Sequence, residues 1–303
     1  MKLRLVGVAA TALALTMTLG LPATGAQAKP VVPVAPNYLA VGDSITQGLG
    51  VTTAQSYPSL LDARSKHLKL AANLAGEDVT PNGVGPTVTD VGAQLSSFTG
   101  DKAKISRISL TVGANDVGWA QLLLACINLP AQVKCADIVD PTTHLTLQQL
   151  VDAGLVGLSA SLPALLDGAG TMYPHASIYV GSYYELFGSK KKDCVVTRPS
   201  TGFAGYAISR VNKAWYNTTT HRLNATIKAA VKAANATPAG NGIAVRFVNV
   251  APAFNGHGFC DSARRWVIAP QDITTGGTLD AVAHPNAKGQ RAYARMFWAK
   301  GVR

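Results

Sequence analysis

The sequence has few charged residues and lacks the patterns of a nucleic-acid-binding protein. Only 14% of its 303 residues are charged, although Lys and Arg outnumber the acids by 27 to 16 and give a net charge of +11. The longest basic run, residues 190–192, is followed directly by Asp193. Without an arginine-rich arm or aromatic residues interleaved with basic ones, specific nucleic-acid binding is not expected. The excess positive charge indicates either attraction to anionic surfaces, such as cell wall or acidic lipid, or simple solubility.

Long apolar runs are also scarce, and the clearest one lies at the N-terminus. Two basic residues precede the uncharged, largely apolar segment 5–21, and Ala26-Gln27-Ala28 supplies a small-residue cleavage signal. This pattern is typical of a secretory signal peptide, so residues 1–28 are excluded from the fold and a secreted, extracellular protein is expected. A membrane anchor is the alternative, but a proline-rich lead-in follows at once in residues 29–36. We predict no other membrane-spanning stretch.

Cysteine is limited to four residues, and none forms a Cys-x-x-Cys pair, so metal binding is not expected. Four cysteines in an exported chain indicate two disulfides, for which three connectivities exist. Cys126 and Cys135 are close in sequence and flank a loop that contains Pro130, so we pair them. This pairing leaves Cys194 with Cys260.

The remaining sequence alternates between short apolar segments and segments with helical spacing. This alternation predicts an α/β fold with a mostly parallel five-stranded sheet and helices on both faces, in a single domain over residues 37–303. The predicted strands are residues 37–41, 68–75, 105–113, 177–182 and 243–250. The predicted helices are residues 56–68, 89–98, 147–166, 203–234 and 286–298, with an interruption of the fourth left open.

Candidate catalytic residues follow the first two predicted strands, where a parallel sheet places its functional groups. Ser44 ends the Gly42-Asp43-Ser44 corner after the first strand. It is a candidate nucleophile, or else a turn residue or helix cap. Gly76 follows the second strand, where a glycine lets a backbone N–H approach a substrate closely. Gly83 and Gly85 compete for that role in the same loop.

Two further candidates follow later in the chain. Asn115 comes after the third strand, and its amide can donate to a developing oxyanion or open the next helix as an Asx turn. His284 is the only one of the six histidines in a loop that leads into the last helix. Since Pro285 follows it, its backbone is expected to be extended.

Taken together and in this order, these segments resemble the SGNH hydrolase superfamily, also called GDSL lipases and esterases. The resemblance covers nearly the whole mature chain and rests on "GDSITQG" (42–48), the region of Gly76, "GANDVG" (113–118) and "HPNAKG" (284–289). The chain looks most like the secreted actinobacterial branch with internal disulfides, because residues 245–260 also follow that branch.

The resemblance implies a flavodoxin-like three-layer sandwich and a serine ester hydrolase. It implies Ser44 as the nucleophile and His284 as the general base. The Ser44 N–H, the Gly76 N–H and the Asn115 side chain would form the oxyanion hole. No cofactor is implied, and a monomer is expected.

The sequence departs from the family pattern at two positions. The usual acidic partner lies three residues before the histidine, which is Ala281 here, and Asp280 lies one residue further away. Either Asp280 reaches His284 through a local bend, or a backbone carbonyl near Ala281 orients the ring. The second departure is at Gly76, where related chains often carry Cys-Ser-Gly and this one reads "NLAGED".

The expected function is a secreted carboxylesterase or lipase that acts on a lipid, a simple ester or an acylated sugar. A polysaccharide or sugar-ester deacetylase of the same fold is the alternative within this class. A non-catalytic exported binding protein is the alternative from another class. The apolar run of residues 119–124 after Asn115 either lines an acyl pocket or forms a buried helix face.

Overall fold

A computed structural model of the chain gives the fold. It describes residues 37–76, 85–188, 193–198, 203–236, 244–261, 264–269, 272 and 279–303. The predicted signal peptide (residues 1–28) and the lead-in (residues 29–36) lie outside the described residues. All the described residues fall in one compact unit.

A parallel five-stranded sheet forms the centre of the molecule. The described residues form the strands β1 (Tyr38–Gly42), β2 (Leu70–Asn73), β3 (Arg107–Thr111), β4 (Ser177–Gly181), β5 (Cys194–Arg198), β6 (Phe203–Ile208) and β7 (Val245–Val248). Strands β5 and β6 form a separate two-stranded sheet. The central sheet has the order β2-β1-β3-β4-β7, and every neighbouring pair in it is parallel. All of β1 is buried, as expected for a strand covered on both faces. The predicted sheet is therefore confirmed.

The helices fall into two groups that cover the two faces of this sheet. They are α1 (Ser44–Gln47), α2 (Tyr57–Arg64), α3 (Val88–Ser97), α4 (Trp119–Cys126), α5 (Leu147–Met172), α6 (Arg210–Ala234) and α7 (Ala287–Lys300). Helix α2 packs against α7, whereas α5 packs against both α3 and α6. The Tyr57 ring of α2 stacks on the Phe297 ring of α7 with 4.7 Å between centroids. The α/β architecture with helices on both faces is confirmed.

Helix α5 corrects the expectation that no other stretch could span a membrane. Within the described residues it is the one helix that is long and apolar enough to do so by length and composition. Its leucines recur every three or four residues, and Leu155, Leu158, Leu162 and Leu166 are buried in the hydrophobic core. Because this stripe faces α3 and α6, α5 behaves as a core helix of the folded domain.

The long helix predicted over residues 203–234 is wrong in its first part. Residues 203–208 form β6, which pairs antiparallel with β5, and α6 starts only at Arg210. The backbone of Ala207 bonds to Asn128, whose side-chain oxygen accepts the Ala207 N–H at 2.9 Å. Ser209 then caps α6 by accepting the Asn212 N–H. Hydrogen bonds between distant segments therefore override the local helical pattern.

Candidate active site

The segment from Gly42 to Ser44 forms a sharp corner at the end of β1. Gly42 pairs with Thr111, so the corner lies beside the segment that follows β3. Gly42 has a φ of +128°, and a side chain there would collide with the Thr111 backbone. Asp43 caps α1 by accepting the Ile45 N–H at 3.0 Å. Since Ser44 is the first residue of α1, its own N–H lies outside the helical hydrogen-bond ladder.

Asp43 is buried beneath the serine and holds three parts of the sheet together. Its carboxylate accepts the Thr111 hydroxyl at 2.6 Å and the Tyr183 hydroxyl at 2.5 Å. The Tyr183 oxygen in turn accepts the Ala114 N–H at 3.2 Å. Burial raises the pKa of Asp43 to about 6, although these hydrogen bonds favour the ionised form. The ends of β1, β3 and β4 are thereby fixed around Ser44.

His284 lies against Ser44 although 240 positions separate them in the sequence. The Ser44 Oγ and His284 Nε2 atoms are 2.7 Å apart, and the His284 Nδ1 atom is 3.2 Å from the Val282 carbonyl oxygen. A neutral ring that donates from Nδ1 to this carbonyl leaves Nε2 free to accept the serine proton. Burial lowers the pKa of His284, which favours the neutral ring.

The turn that carries His284 is anchored on both sides. Ala283 has a φ of +71°, which is uncommon for a residue with a side chain. Its N–H donates to the Ile268 carbonyl at 2.9 Å, and the His284 carbonyl accepts the Ile268 N–H at 2.8 Å. The Tyr184 hydroxyl donates to the Ala283 carbonyl at 2.5 Å. These contacts hold the bend that turns the Val282 carbonyl toward the imidazole.

Asp280 occupies a different position from the one a third catalytic side chain needs. It is exposed and lies at the wall of the cavity beside Ser44 and His284. No hydrogen bond joins its carboxylate to the imidazole, although its charge favours the protonated ring. The Nδ1 atom faces the Val282 carbonyl instead. Of the two arrangements that the sequence left open, the geometry supports the backbone carbonyl.

Asn115 and a glycine face the same cavity as Ser44. The Asn115 side chain donates one amide N–H to the Pro86 carbonyl at 2.9 Å, which leaves its second N–H for a ligand. Gly85 also lines the cavity, and a side chain on it would come within 2.9 Å of the Asn115 amide nitrogen. Gly76 is described by the structure but does not line this cavity. The structure therefore brings Gly85, and not Gly76, beside Asn115.

The cavity at Ser44 has a volume of about 470 Å³ and mostly apolar walls. Residues 119–124, after Asn115, contribute both to the cavity wall and to a buried helix face, the two alternatives that the sequence allowed. Trp119, Leu123 and Leu124 line the cavity, whereas Leu122 packs into the core. Other apolar residues of the wall include Ile127, Tyr184, Phe187, Ile208, Tyr216 and Phe259. In the part of the chain that the structure describes, no three His, Cys, Asp or Glu side chains cluster as a metal site.

Comparison with known sequences decides the family. The sequence model of the GDSL-like lipase/acylhydrolase family matches residues 40–292, which include Ser44 and His284. The chain belongs to this family. A lipase of Streptomyces rimosus is 28% identical over 299 residues, and the alignment covers 93% of this chain and 93% of that protein.

Solved structures share the fold of this GDSL-family chain. The crystal structure of an extracellular lipase from Streptomyces rimosus superposes with a TM-score of 0.60 at 23% identity. That of phospholipase A1 from Streptomyces albidoflavus NA297 gives a TM-score of 0.58 at 22% identity. Each match covers 88% of this chain and 100% of the other. At these identities the likeness establishes the architecture.

In this GDSL-family chain, both disulfides border the candidate site, a feature that the sequence analysis missed. Cys126 bonds to Cys135 and Cys194 bonds to Cys260, which are the predicted pairings. The first bond holds the end of α4, and Cys194 itself lines the cavity at the start of β5. The sequence signal that could have placed the first disulfide beside the site is the position of Cys126, two residues after the apolar run of residues 119–124. The cystine-anchored hairpin that forms one wall had no local signal.

Proposed function

We propose that this protein is an exported carboxylic ester hydrolase that works through an acyl-enzyme on Ser44. One observation carries the proposal, namely the 2.7 Å contact between Ser44 Oγ and His284 Nε2 at an apolar cavity of about 470 Å³. A serine hydroxyl becomes an effective nucleophile when a neutral imidazole takes its proton. This paired arrangement favours an enzyme over a non-catalytic binding protein.

The chemistry proceeds in two acyl-transfer steps. His284 accepts the Ser44 proton as Oγ attacks the ester carbonyl carbon, and the carbonyl oxygen becomes an oxyanion. The imidazolium then gives the proton to the departing alkoxide as the acyl-enzyme forms. In the second step His284 deprotonates water, which attacks the acyl carbon. The imidazolium then returns the proton to Ser44 Oγ as the bond between Oγ and the acyl carbon breaks and the acid leaves. The Val282 carbonyl stabilises the imidazolium by accepting its Nδ1–H.

Three N–H groups are proposed to bind the oxyanion. They belong to the Ser44 backbone, the Asn115 side chain and the Gly85 backbone. Gly85 replaces Gly76 in this proposal because Gly85 lines the cavity next to the Asn115 amide. Donors fixed in advance around a developing negative charge supply a large part of the rate enhancement in such enzymes.

A pair of matched glycine substitutions tests this choice. Gly85→Ala is expected to lower kcat on a p-nitrophenyl ester by about tenfold or more, because the new methyl group displaces the Asn115 amide. Gly76→Ala is expected to change kcat by less than about twofold, because Gly76 does not line the cavity and a methyl group there should not disturb the site. Steady-state kinetics on both variants, with circular dichroism to verify folding, makes the measurement. A larger loss in Gly76→Ala than in Gly85→Ala would restore the glycine predicted from the sequence.

Replacing the exposed carboxylate near the base tests the two-residue arrangement. Asp280→Asn is expected to lower kcat/KM by less than about tenfold, because a carbonyl and not this carboxylate accepts the imidazole proton. Loss of a true triad carboxylate costs about 10⁴-fold. The measurement is kcat/KM at neutral pH, with Asp137→Asn, an exposed carboxylate that does not line the cavity, as control. A loss near the triad value would make Asp280 the orienting group.

The walls of the cavity support an ester with an aliphatic acyl chain over an acetylated polysaccharide. Each methylene removed from water contributes about 0.8 kcal/mol, or roughly fourfold in kcat/KM where it is fully buried. We therefore expect kcat/KM for p-nitrophenyl octanoate to exceed that for the acetate by about tenfold or more. A preference for the acetate would favour the deacetylase alternative.

A cavity-filling variant makes this chain-length test specific. Leu123→Trp introduces a large ring into the cavity wall and should lower octanoate turnover while acetate turnover changes little. Leu165→Trp, outside the lining, serves as control for a large substitution elsewhere in an apolar environment. Equal losses on both esters in Leu123→Trp would contradict the assignment of the acyl site.

Export is proposed on two grounds. The predicted signal peptide precedes the folded unit, and two disulfides fit an oxidising compartment. N-terminal sequencing of the protein from culture medium tests the proposal, and a start near Lys29 is the expected result.

A further inference from the structure

One exposed side of α7 carries positive charge alone. This helix contains no acidic residue, and Lys288, Arg291 and Arg295 are exposed at spacings of three and four residues. Such spacing puts all three on the same side of the helix. The Arg295 guanidinium lies 5.7 Å from the centre of the Trp266 ring, which joins this side to the segment that carries Arg264. We call the five cations Arg264, Arg265, Lys288, Arg291 and Arg295 the basic face.

A groove of about 370 Å³ runs between the two parts of the basic face. Arg265, Lys288 and Arg291 line it together with Ile268 and the start of α7. The carboxylate in the groove, Asp272, pairs with Arg265 at 3.1 Å. Among the described lining residues, three cations therefore face one carboxylate, and the groove keeps a net positive charge.

The groove is connected directly to the segment that holds the catalytic imidazole. Ile268 lines the groove, and its N–H donates to the His284 carbonyl at 2.8 Å. Asn286 also lines the groove and caps α7 two residues after His284. A surface bound at the basic face would therefore lie close to the ester-cleaving groups.

We propose that the basic face docks the protein on an anionic phospholipid bilayer. The proposal rests on the proposed ester hydrolysis, because an enzyme with an apolar acyl cavity gains from being held at a lipid surface. Two observations favour lipid over nucleic acid. The cavity walls are mostly apolar, and Leu124 at the cavity is 65% exposed, as suits contact with acyl chains. Lys and Arg side chains near an anionic leaflet each strengthen binding by about fivefold.

A charge-removal variant with a matched control tests the docking face. The test variant is Lys288→Gln/Arg291→Gln/Arg295→Gln, and the control is Lys134→Gln/Lys228→Gln/Lys232→Gln, which removes three exposed cations elsewhere. Co-sedimentation is measured with two kinds of vesicle. One is pure phosphatidylcholine, and the other is phosphatidylcholine with roughly one-third phosphatidylglycerol. Turnover of soluble p-nitrophenyl acetate verifies that folding and chemistry are intact in each protein.

The unsubstituted protein is expected to bind the phosphatidylglycerol vesicles and to dissociate as salt rises to about 0.5 M. The test variant should lose about tenfold or more of this binding while its acetate turnover and the control variant's binding stay unchanged. Equal losses in both variants would overturn the proposal, because net charge alone would then account for binding. Binding of a short DNA duplex without binding of the vesicles would also overturn it. Since vesicle binding is measured without turnover, an inactive but vesicle-binding protein would contradict only the proposed function.

Discussion

Ser44→Ala is expected to lower kcat/KM on a p-nitrophenyl ester by about 10⁴-fold or more. The substitution removes the atom that forms the acyl-enzyme, so only oxyanion binding and substrate positioning remain to accelerate attack by water. The small change at the first residue of α1 leaves the Asp43 cap in place, because that cap uses the Ile45 N–H. Steady-state kinetics and a thermal melt on the same preparation separate the lost chemistry from lost stability.

Ser159→Ala provides the control for this variant. Ser159 is exposed on α5, and its hydroxyl bonds only to the backbone of its own helix. Its substitution should leave kcat/KM within about twofold, since surface changes away from special features have small effects. Ser44→Ala with more than a tenth of the original turnover would contradict an acyl-enzyme on Ser44.

His284→Ala is expected to lower kcat/KM by a similar factor. Without the imidazole, no side chain among the described residues is left hydrogen-bonded to Ser44 Oγ to take its proton, and the leaving group loses its acid. Residues that act as one unit are not additive, so Ser44→Ala/His284→Ala should be no less active than the worse single variant. His175→Ala, at an exposed position, is the matched control.

The pH dependence of the unsubstituted enzyme bears on the same residue. Only the neutral imidazole can act as a base, and burial lowers its pKa from the ordinary value of 6.5. The acid limb of the pH profile of kcat/KM should therefore have its midpoint below pH 6.5. An acid limb centred above pH 6.5 would mean that His284 is protonated more easily than its burial implies.

The position of Ser44 was predictable because it follows from the sheet. Apolar segments bounded by glycine and polar residues mark β1 and β3, and a parallel sheet gathers whatever follows its strands at one edge. Local sequence patterns were therefore enough to place Ser44 and Asn115 at the same edge of the sheet. His284, the partner of Ser44, was predicted from its place in a short loop before the last helix, because Pro285 separates that loop from α7.

The sequence offered two orienting groups for the imidazole, Asp280 and a backbone carbonyl, and could not choose between them. Any residue supplies a carbonyl, so the type of residue at 282 carries no signal for this role. The bend depends on a positive φ at Ala283 and on bonds from Ile268 and Tyr184, which are distant in the chain. Such a turn is set by its surroundings, whereas the nearby Asp280 offered a residue type that fitted the expected chemistry.

The sequence could not choose the oxyanion glycine for a related reason. Gly76 and Gly85 flank one loop, and either could follow a strand at a cavity. The choice depends on which of them contacts Asn115, and the contact of Gly85 arises only in the folded chain. The β5–β6 hairpin was hidden in the same way, because its cystine and its bonds to Asn128 come from remote segments.

The most direct test of the central claim is the site of covalent labelling by an alkyl p-nitrophenyl phosphonate. Intact-mass and peptide-mapping measurements should show one adduct per chain, on Ser44, with p-nitrophenolate released in equal amount. His284→Ala should react far more slowly, because its serine lacks a base. An adduct on another residue, or an active enzyme that remains unlabelled, would contradict the account.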